Sequence, residues 1–201
     1  MIKKLLLILF FSGIFISIVW FDLSYNSIVT KKESDIAEKL INQPDYIANI
    51  SDWQEYRDNK LGFSIKYPDD IEVREKLIKS LMVNFSAWGP YQKAGEDLFD
   101  GISFSVYQDS FPKYKKLKEY VIDQSKQAGK LGKVIKPVTS ISLGGKQGYI
   151  FITENSTKVT NIYLPLKNNQ ILGISYLSPD PKNTGYQKII DLMVSSIKIS
   201  G

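Results

Sequence analysis

Seventeen consecutive residues, Leu5 to Phe21, carry no charge, and this stretch constrains the chain more than any other feature. Only Ser12, Gly13 and Ser17 interrupt its run of large apolar side chains. As a helix it spans about 26 Å, slightly short of a hydrocarbon core of about 30 Å. Ile2 and Leu23 extend it, and Lys3 and Lys4 can reach the interface with their long stems. No polar stripe runs along it, so it does not read as one face of an amphipathic surface helix. Residues 1–23 are therefore read as an N-terminal signal anchor containing one transmembrane helix. The residues that follow, Asp22 to Asn26, fit a small-residue cleavage pattern poorly, and Trp20 and Tyr25 stand where an interfacial aromatic belt would lie. Cleavage of the leader, which would leave the remainder secreted, is the alternative. Lys3 and Lys4 before the span, with Asp22 directly after it, keep the amino terminus in the cytoplasm. The expectation is a single-pass protein of the cell membrane whose C-terminal domain is extracytoplasmic.

Residues 24–51 read as a linker or stalk, polar with scattered isoleucines. Asp35 to Asn42 has the spacing of a short helix and stops before Pro44. The chain contains no cysteine and no histidine, which excludes disulfides, thiol catalysis, thiolate metal sites and the commonest general base. Beyond Lys3 and Lys4, 24 basic residues face 21 acidic ones, and only Arg57 and Arg74 are arginines. A surplus this small, without a clustered face, gives no sign of nucleic-acid binding. Heavy use of lysine, isoleucine and asparagine points to an AT-rich bacterial genome.

From Trp53 the apolar period becomes two. Strands are predicted at Trp53–Tyr56, Phe63–Tyr67, around Leu81–Ala87 and at Ile102–Tyr107. A long loop carrying Gly89, Pro90, Gly95 and Gly101 separates the last two. Lys116–Ala128 has helical spacing, with Leu117, Tyr120, Val121 and Gln124 on one face and Gly129 as a left-handed stop. Val138–Leu143 then turns through Gly144-Gly145 into Gln147–Glu154. Val159–Leu166 turns through Asn168-Asn169 into Gln170–Leu177, because both pairs tolerate the positive φ of tight hairpins. Pro165 implies an edge strand or a bulge. A second helix begins near Thr184, with Gln187 completing a capping box, and Ile197–Ile199 returns to the sheet. Residues 52–201 thus form one α+β domain, a mostly antiparallel central sheet with helices packed on it.

Trp53 and Tyr56, then Gly62-Phe63-Ser64-Ile65-Lys66-Tyr67-Pro68-Asp69, form the most specific part of this pattern. Ser103-Phe104-Ser105-Val106, Leu117-Lys118-Glu119-Tyr120-Val121, the Gly-Gly hairpin of Ile141 to Tyr149, Tyr176, and Ser196-Ile197-Lys198-Ile199 follow in order. Over Trp53 to Ile199 the chain resembles the PsbP-like superfamily, which includes extrinsic photosystem II subunits and DcrB-type bacterial envelope proteins. The resemblance implies a central antiparallel sheet with helices, and a non-enzymatic module that attaches to membranes or larger assemblies. The retention of calcium and chloride by the photosystem members involves an amino-terminal segment and histidines that this chain lacks, so that role is not carried over.

No residue is assigned a catalytic, cofactor-binding or metal-binding role, and no cofactor is expected. Ser80 beside Lys79 and Ser125 beside Lys126 are neighbours in sequence only, and no G-x-S-x-G elbow exists. The acidic groups Asp69, Asp70, Glu72 and Glu96, Asp97, Asp100 lack the alternating spacing of a calcium loop. Gly144-Gly145-Lys146 lies between strands rather than before a helix, so it is a hairpin and not a phosphate loop. Lys113, Lys115, Lys116, Lys118, Lys126, Lys130, Lys133 and Lys136 read as a solvated face, or as a contact for anionic lipid or an acidic partner. Trp88, Tyr91, Phe99, Phe111 and Tyr114 cover an open end of the core or line a cleft. The functional expectation is a membrane-anchored binding or assembly module with a protein partner in the envelope and no catalysis. The alternative is an envelope protein that binds a small ligand or calcium through Ala87–Gly101.

Overall fold

A computed structural model describes residues 50–77, 81–93, 95–110 and 116–200. The leader, nearly all of the linker with its expected helix, Ser80, Phe111, Lys113, Tyr114 and Lys115 lie outside the described residues. No helix among the described residues is long and apolar enough to cross a membrane.

After a single 3-10 turn the chain forms β1 (Gln54–Asp58), β2 (Phe63–Tyr67), β3 (Glu72–Leu77), β4 (Leu81–Trp88) and β5 (Gly101–Ser110). Helix α1 (Leu117–Ala128) follows, then β6 (Lys133–Leu143), β7 (Lys146–Glu154), β8 (Lys158–Pro165) and β9 (Gln170–Leu177). Helix α2 (Tyr186–Ser196) and β10 (Lys198–Ile199) close the fold. Seven strands form one antiparallel sheet in the order β3-β4-β5-β9-β8-β7-β6. A second antiparallel sheet has the order β1-β2-β10. The domain is α+β, as its patterning predicts.

The strand sequences explain the layering. In β5, β7, β8 and β9 both alternating sets of side chains are buried in the middle of the strand. Phe104, Val106, Ile162, Leu164, Leu172 and Ile174 join one core with Phe63, Ile65, Ile189, Ile190 and Met193. Tyr107, Phe151, Tyr163 and Ile171 join a smaller core with Val121 and Ala128 of α1. The large sheet is thus covered by α2 and the small sheet on one face and by α1 on the other. This is why Ser105 and Tyr107, which alternate with Phe104 and Val106 along β5, are also buried, at 3% and 6% exposure. Tyr107 has room because Gly173 lies beneath it; a Cβ there would stand 2.4 Å from the tyrosine ring. On the α1 side the Tyr107 hydroxyl donates to that of Tyr163 at 3.3 Å, and the Tyr120 hydroxyl donates to Asp109. Burial pushes the Tyr163 phenol up to about 12.

Several local expectations need correction. Strand β3 is not among the predicted strands, since Glu72, Arg74, Glu75 and Lys76 leave it no apolar alternation; it is a charged edge strand, a composition that discourages further pairing. Gly129 is not left-handed: it sits at φ −63° and ψ −13°, its N–H donates to Ser125 at 2.9 Å, and two tighter turns end the helix at Lys130 and Leu131. Pro165 marks neither an edge nor a bulge. Strand β8 is interior, but its pairing to β7 ends at Tyr163, so the proline interrupts no bond on that side. The last strand joins the small sheet through Lys198↔Ser64 and Ile199↔Phe63, not the large one. The capping box at Thr184 and Gln187 is absent; its replacement belongs to the site below. The two hairpins are as expected, with Gly144, Gly145, Asn168 and Asn169 all at positive φ.

Candidate functional site

The β4–β5 connection is longer than a hairpin needs, and it is internally bonded. Trp88 and Gly101 make the last strand pair. Next to them the Gly89 N–H donates to the Asp100 carbonyl at 2.9 Å. Gln92 then holds the loop from inside. Its Oε1 accepts from the Phe99 and Asp100 N–H groups at 2.7 and 3.1 Å. Its Nε2 lies 3.0, 3.2 and 3.4 Å from the carbonyls of Lys93, Asp97 and Glu96. Asp100 closes the other side, its Oδ2 accepting from the Tyr91 N–H at 2.8 Å. One amide and one carboxylate so fold the loop back on itself. They present two aromatic rings outward: Tyr91 is 51% exposed and Phe99 54%.

The neighbouring β9–α2 connection is built on a second aspartate. The Oδ1 of Asp180 accepts from the Thr184 N–H at 2.7 Å and the Thr184 hydroxyl at 2.9 Å. Its Oδ2 accepts from the N–H groups of Gly185 and Tyr186 at 2.7 and 3.4 Å. This caps α2 from six residues upstream, because Gly185 at the cap position has no side chain to do so. Thr184 is one of the groups being capped, and Gln187 bonds instead with Ser178 and Asp191. The two loops are joined by the Gly101 N–H, which donates to the Pro179 carbonyl at 3.0 Å, and by Lys182, whose Nζ stands 5.3 Å from the Tyr91 ring centre. Beneath them Asp100 is fully buried and Tyr186 is 1% exposed. Among the described residues neither Asp100 Oδ1 nor the Tyr186 hydroxyl makes a hydrogen bond of good geometry, although Thr184 and Asp100 both stand close enough to act on the hydroxyl. Burial first, and then the charges of Asp100 and Asp180, hold the Tyr186 phenol above its usual range against the opposing effect of Thr184.

Burial acts to raise the Asp180 carboxyl, but the bonds from Gly185, Thr184 and Tyr186 overcome it and hold the group below its usual value. A depressed native pKa means that the unfolded chain binds more protons in this window. The stabilisation from Asp180 is present above the unfolded carboxyl value and is lost as pH falls through the native one. Asp180→Ala should cost about 1–2 kcal/mol at neutral pH, the usual scale for a lost N-terminal cap. The cost should shrink as pH falls below the ordinary carboxylate range. Chemical denaturation of both proteins across that range checks it, and a cost independent of pH would contradict this account.

The sequence-read acidic groups do not converge. Asp69 and Asp70 belong to the turn after β2, while Glu72 lies in β3 and accepts from Arg74 at 2.7 and 2.6 Å. Glu96 and Asp97 are exposed, whereas Asp100 turns inward. Among the described residues no three acidic groups come together as a metal site. Ser125 is buried under α1 and Lys126 is exposed, so that pair is not brought together either. Gly144-Gly145-Lys146 is a two-residue hairpin, with Leu143 opposite Lys146. Gln92, Asp180, Lys182 and Tyr186 were missed by sequence reasoning. Only Asp180 left a signal there, as an aspartate four residues before a threonine in a Pro/Asn/Gly-containing turn.

No protein-family model matches the chain, and no curated protein does. Among solved structures the chain is similar to cyanobacterial PsbP (CyanoP) from Synechocystis sp. PCC 6803, with a TM-score of 0.48 and 15% identity over 73% of this chain and 91% of that one. It is similar to the Saccharomyces cerevisiae Ran-binding protein Mog1p, with a TM-score of 0.44 and 14% identity over 74% of this chain and 95% of that one. It is also similar to PA94 of Pseudomonas aeruginosa, a protein of unknown function described as a putative regulator, with a TM-score of 0.42 and 15% identity over 68% and 88%. At these identities the likeness is one of fold alone.

Proposed function

We propose that this chain is a membrane-anchored, extracytoplasmic binding or assembly module that engages a protein partner through the Gly89–Asp100 loop, without catalysis of its own. Residues 1–23 are its anchor, 24–51 its stalk and 52–201 its binding domain. The observation that carries the reading is the pair Tyr91 and Phe99, more than half exposed on a loop that Gln92 and Asp100 hold in one shape. Large aromatic rings cost little conformational entropy to bury, and loop order established before contact removes most of the rest. Lys93, Glu96, Asp97 and Lys182 supply the polar rim that such anchors have at protein interfaces.

The location is tested by the chain's own lack of cysteine. Ser156 is exposed between β7 and β8. Ser156→Cys should react with a membrane-impermeant maleimide in cells with an intact inner membrane. Ile2→Cys should react only after lysis. The opposite pattern would invert the topology, and labelled Ser156→Cys protein released from the membrane would mean that the leader is cleaved.

One observation favours the alternative, an envelope protein that binds a small ligand or calcium: Asp100 is fully buried at the base of the loop, and its Oδ1 makes no hydrogen bond of good geometry among the described residues. A rise of several degrees in melting temperature with calcium chloride would select that reading. The partner-binding reading expects no change.

A further inference from the structure

All four large apolar side chains that stand exposed among the described residues are Tyr91, Phe99, Leu131 and Ile135. Tyr91 and Phe99 lie at the end of the large sheet where β5 begins and β9 finishes. Leu131 lies at the same end, because Lys133 at the start of β6 pairs with Glu154 at the finish of β7, and Glu154 pairs with Lys158 at the start of β8. The two corners differ in charge. Around the aromatic loop Glu96 and Asp97 are balanced by Lys93 and Lys182. From Gln124 to Thr153 the chain has five lysines and no carboxylate. Lys126, Lys130, Lys133 and Lys136 flank Leu131 and Ile135 along the chain, all four exposed and none within ion-pair distance of a described carboxylate. Glu154 stands cross-strand from both Lys133 and Lys158, and Asp123 lies one helical turn before Lys126 on α1.

Leu131 is presented rather than loosely exposed. Its N–H and that of Gly132 both donate to the Ala128 carbonyl, at 3.0 and 3.1 Å. Gly132 packs so closely on the end of β7 that a Cβ there would lie 2.8 Å from the Glu154 carbonyl. The turn is fixed at both sides, with a 60% exposed leucine at its tip.

We infer that this corner, the turn after α1 with the start of β6, docks on an anionic lipid surface. Leu131 and Ile135 enter the headgroup region and the lysines meet lipid phosphates. Lysines ringing an exposed aliphatic tip suit a lipid surface, where charge counts and bidentate geometry does not. The inference goes beyond partner binding and takes from that reading only the anchor, which would keep the domain near a bilayer at high effective concentration. Docking by this corner also brings the aromatic loop, at the same end of the sheet, down to membrane level.

The test uses the full chain carrying Leu131→Cys labelled with an environment-sensitive fluorophore. It is added to vesicles of phosphatidylcholine alone or mixed with phosphatidylglycerol. The label should shift to the blue and brighten only where phosphatidylglycerol is present, and high salt should reverse the change. The same label in a chain with Lys126, Lys130, Lys133 and Lys136 all changed to Gln should not respond. A label at Lys167, in the β8–β9 turn at the other end of the sheet, should behave alike in both vesicles. Equal emission from position 131 in the two vesicles, or a shift that the glutamine variant retains, would overturn the inference. If Leu131→Cys fails to fold, Ile135→Cys reports on the same surface. Flotation with vesicles of phosphatidylcholine alone reports the anchor separately, so its loss there with a retained shift on phosphatidylglycerol would sink the anchor and leave the docking intact.

Discussion

Gly101→Ala should lower the stability of the domain by about 3 kcal/mol or more, a fall of roughly 10 °C in melting temperature for a domain of this size. Two independent costs meet at this residue. Its φ is +134°, a conformation that an L side chain rarely adopts. A Cβ there would also stand 2.2 Å from the Ala87 carbonyl oxygen and 3.1 Å from the Trp88 Cα, both backbone atoms that cannot swing aside. Relief requires separating β4 from β5 at Trp88↔Gly101, which also pulls the Gly101 N–H from Pro179 and parts the two loops of the site. Gly145→Asn is the matched control. Gly145 has φ +79° in open space, and asparagine tolerates that region, so the cost should stay within about 1 kcal/mol. Thermal melting of the three proteins checks the prediction, and similar losses for the two variants would refute the steric part of it.

Replacing Tyr91 and Phe99 together by alanine should weaken partner binding by about 100-fold or more, the effect of losing one strong or two moderate aromatic anchors. Melting should barely move, since changes at exposed side chains usually stay within about 0.5 kcal/mol. Gln92→Ala separates side-chain contact from loop order. It leaves both aromatics in place but removes the acceptor for the Phe99 and Asp100 N–H groups. Binding should fall because the loop must then be ordered on contact, and melting should fall with it. Unchanged binding in the double variant, with the protein folded, would remove Tyr91 and Phe99 from the interface.

The elements whose residues carry their own instruction were legible. Phe63 to Tyr67 alternates and is β2; Gly144-Gly145 and Asn168-Asn169 demand positive φ and have it. Ile189, Ile190, Met193 and Ile197 recur at helical spacing and are all buried. What failed were inferences that need a distant partner. Thr184 and Gln187 have the spacing of a capping box, but Asp180 supplies four hydrogen bonds from outside the helix and leaves them other work. Strand β3 has one partly buried valine, Val73, and is a strand only because β4 pairs with it. The periodicity of β1, β2 and β10 reports strands but not that they form a sheet of their own. At the site the exposed aromatics were readable as a class. Gln92 was not, because all its bonds go to backbone groups and no residue pattern marks them. Asp100 was readable as one of three acidic residues, and only the fold shows that it turns inward while Glu96 and Asp97 stay out.

The central claim is that the loop end meets a protein partner. A photoreactive phenylalanine analogue at position 99 tests it most directly, in living cells with the full-length chain in its native membrane. One discrete crosslinked species is expected, absent when the same analogue stands at position 167 at the far end of the sheet and lost when Tyr91 and Gln92 are changed to alanine. No adduct from position 99, or the same adducts from both positions, would contradict it.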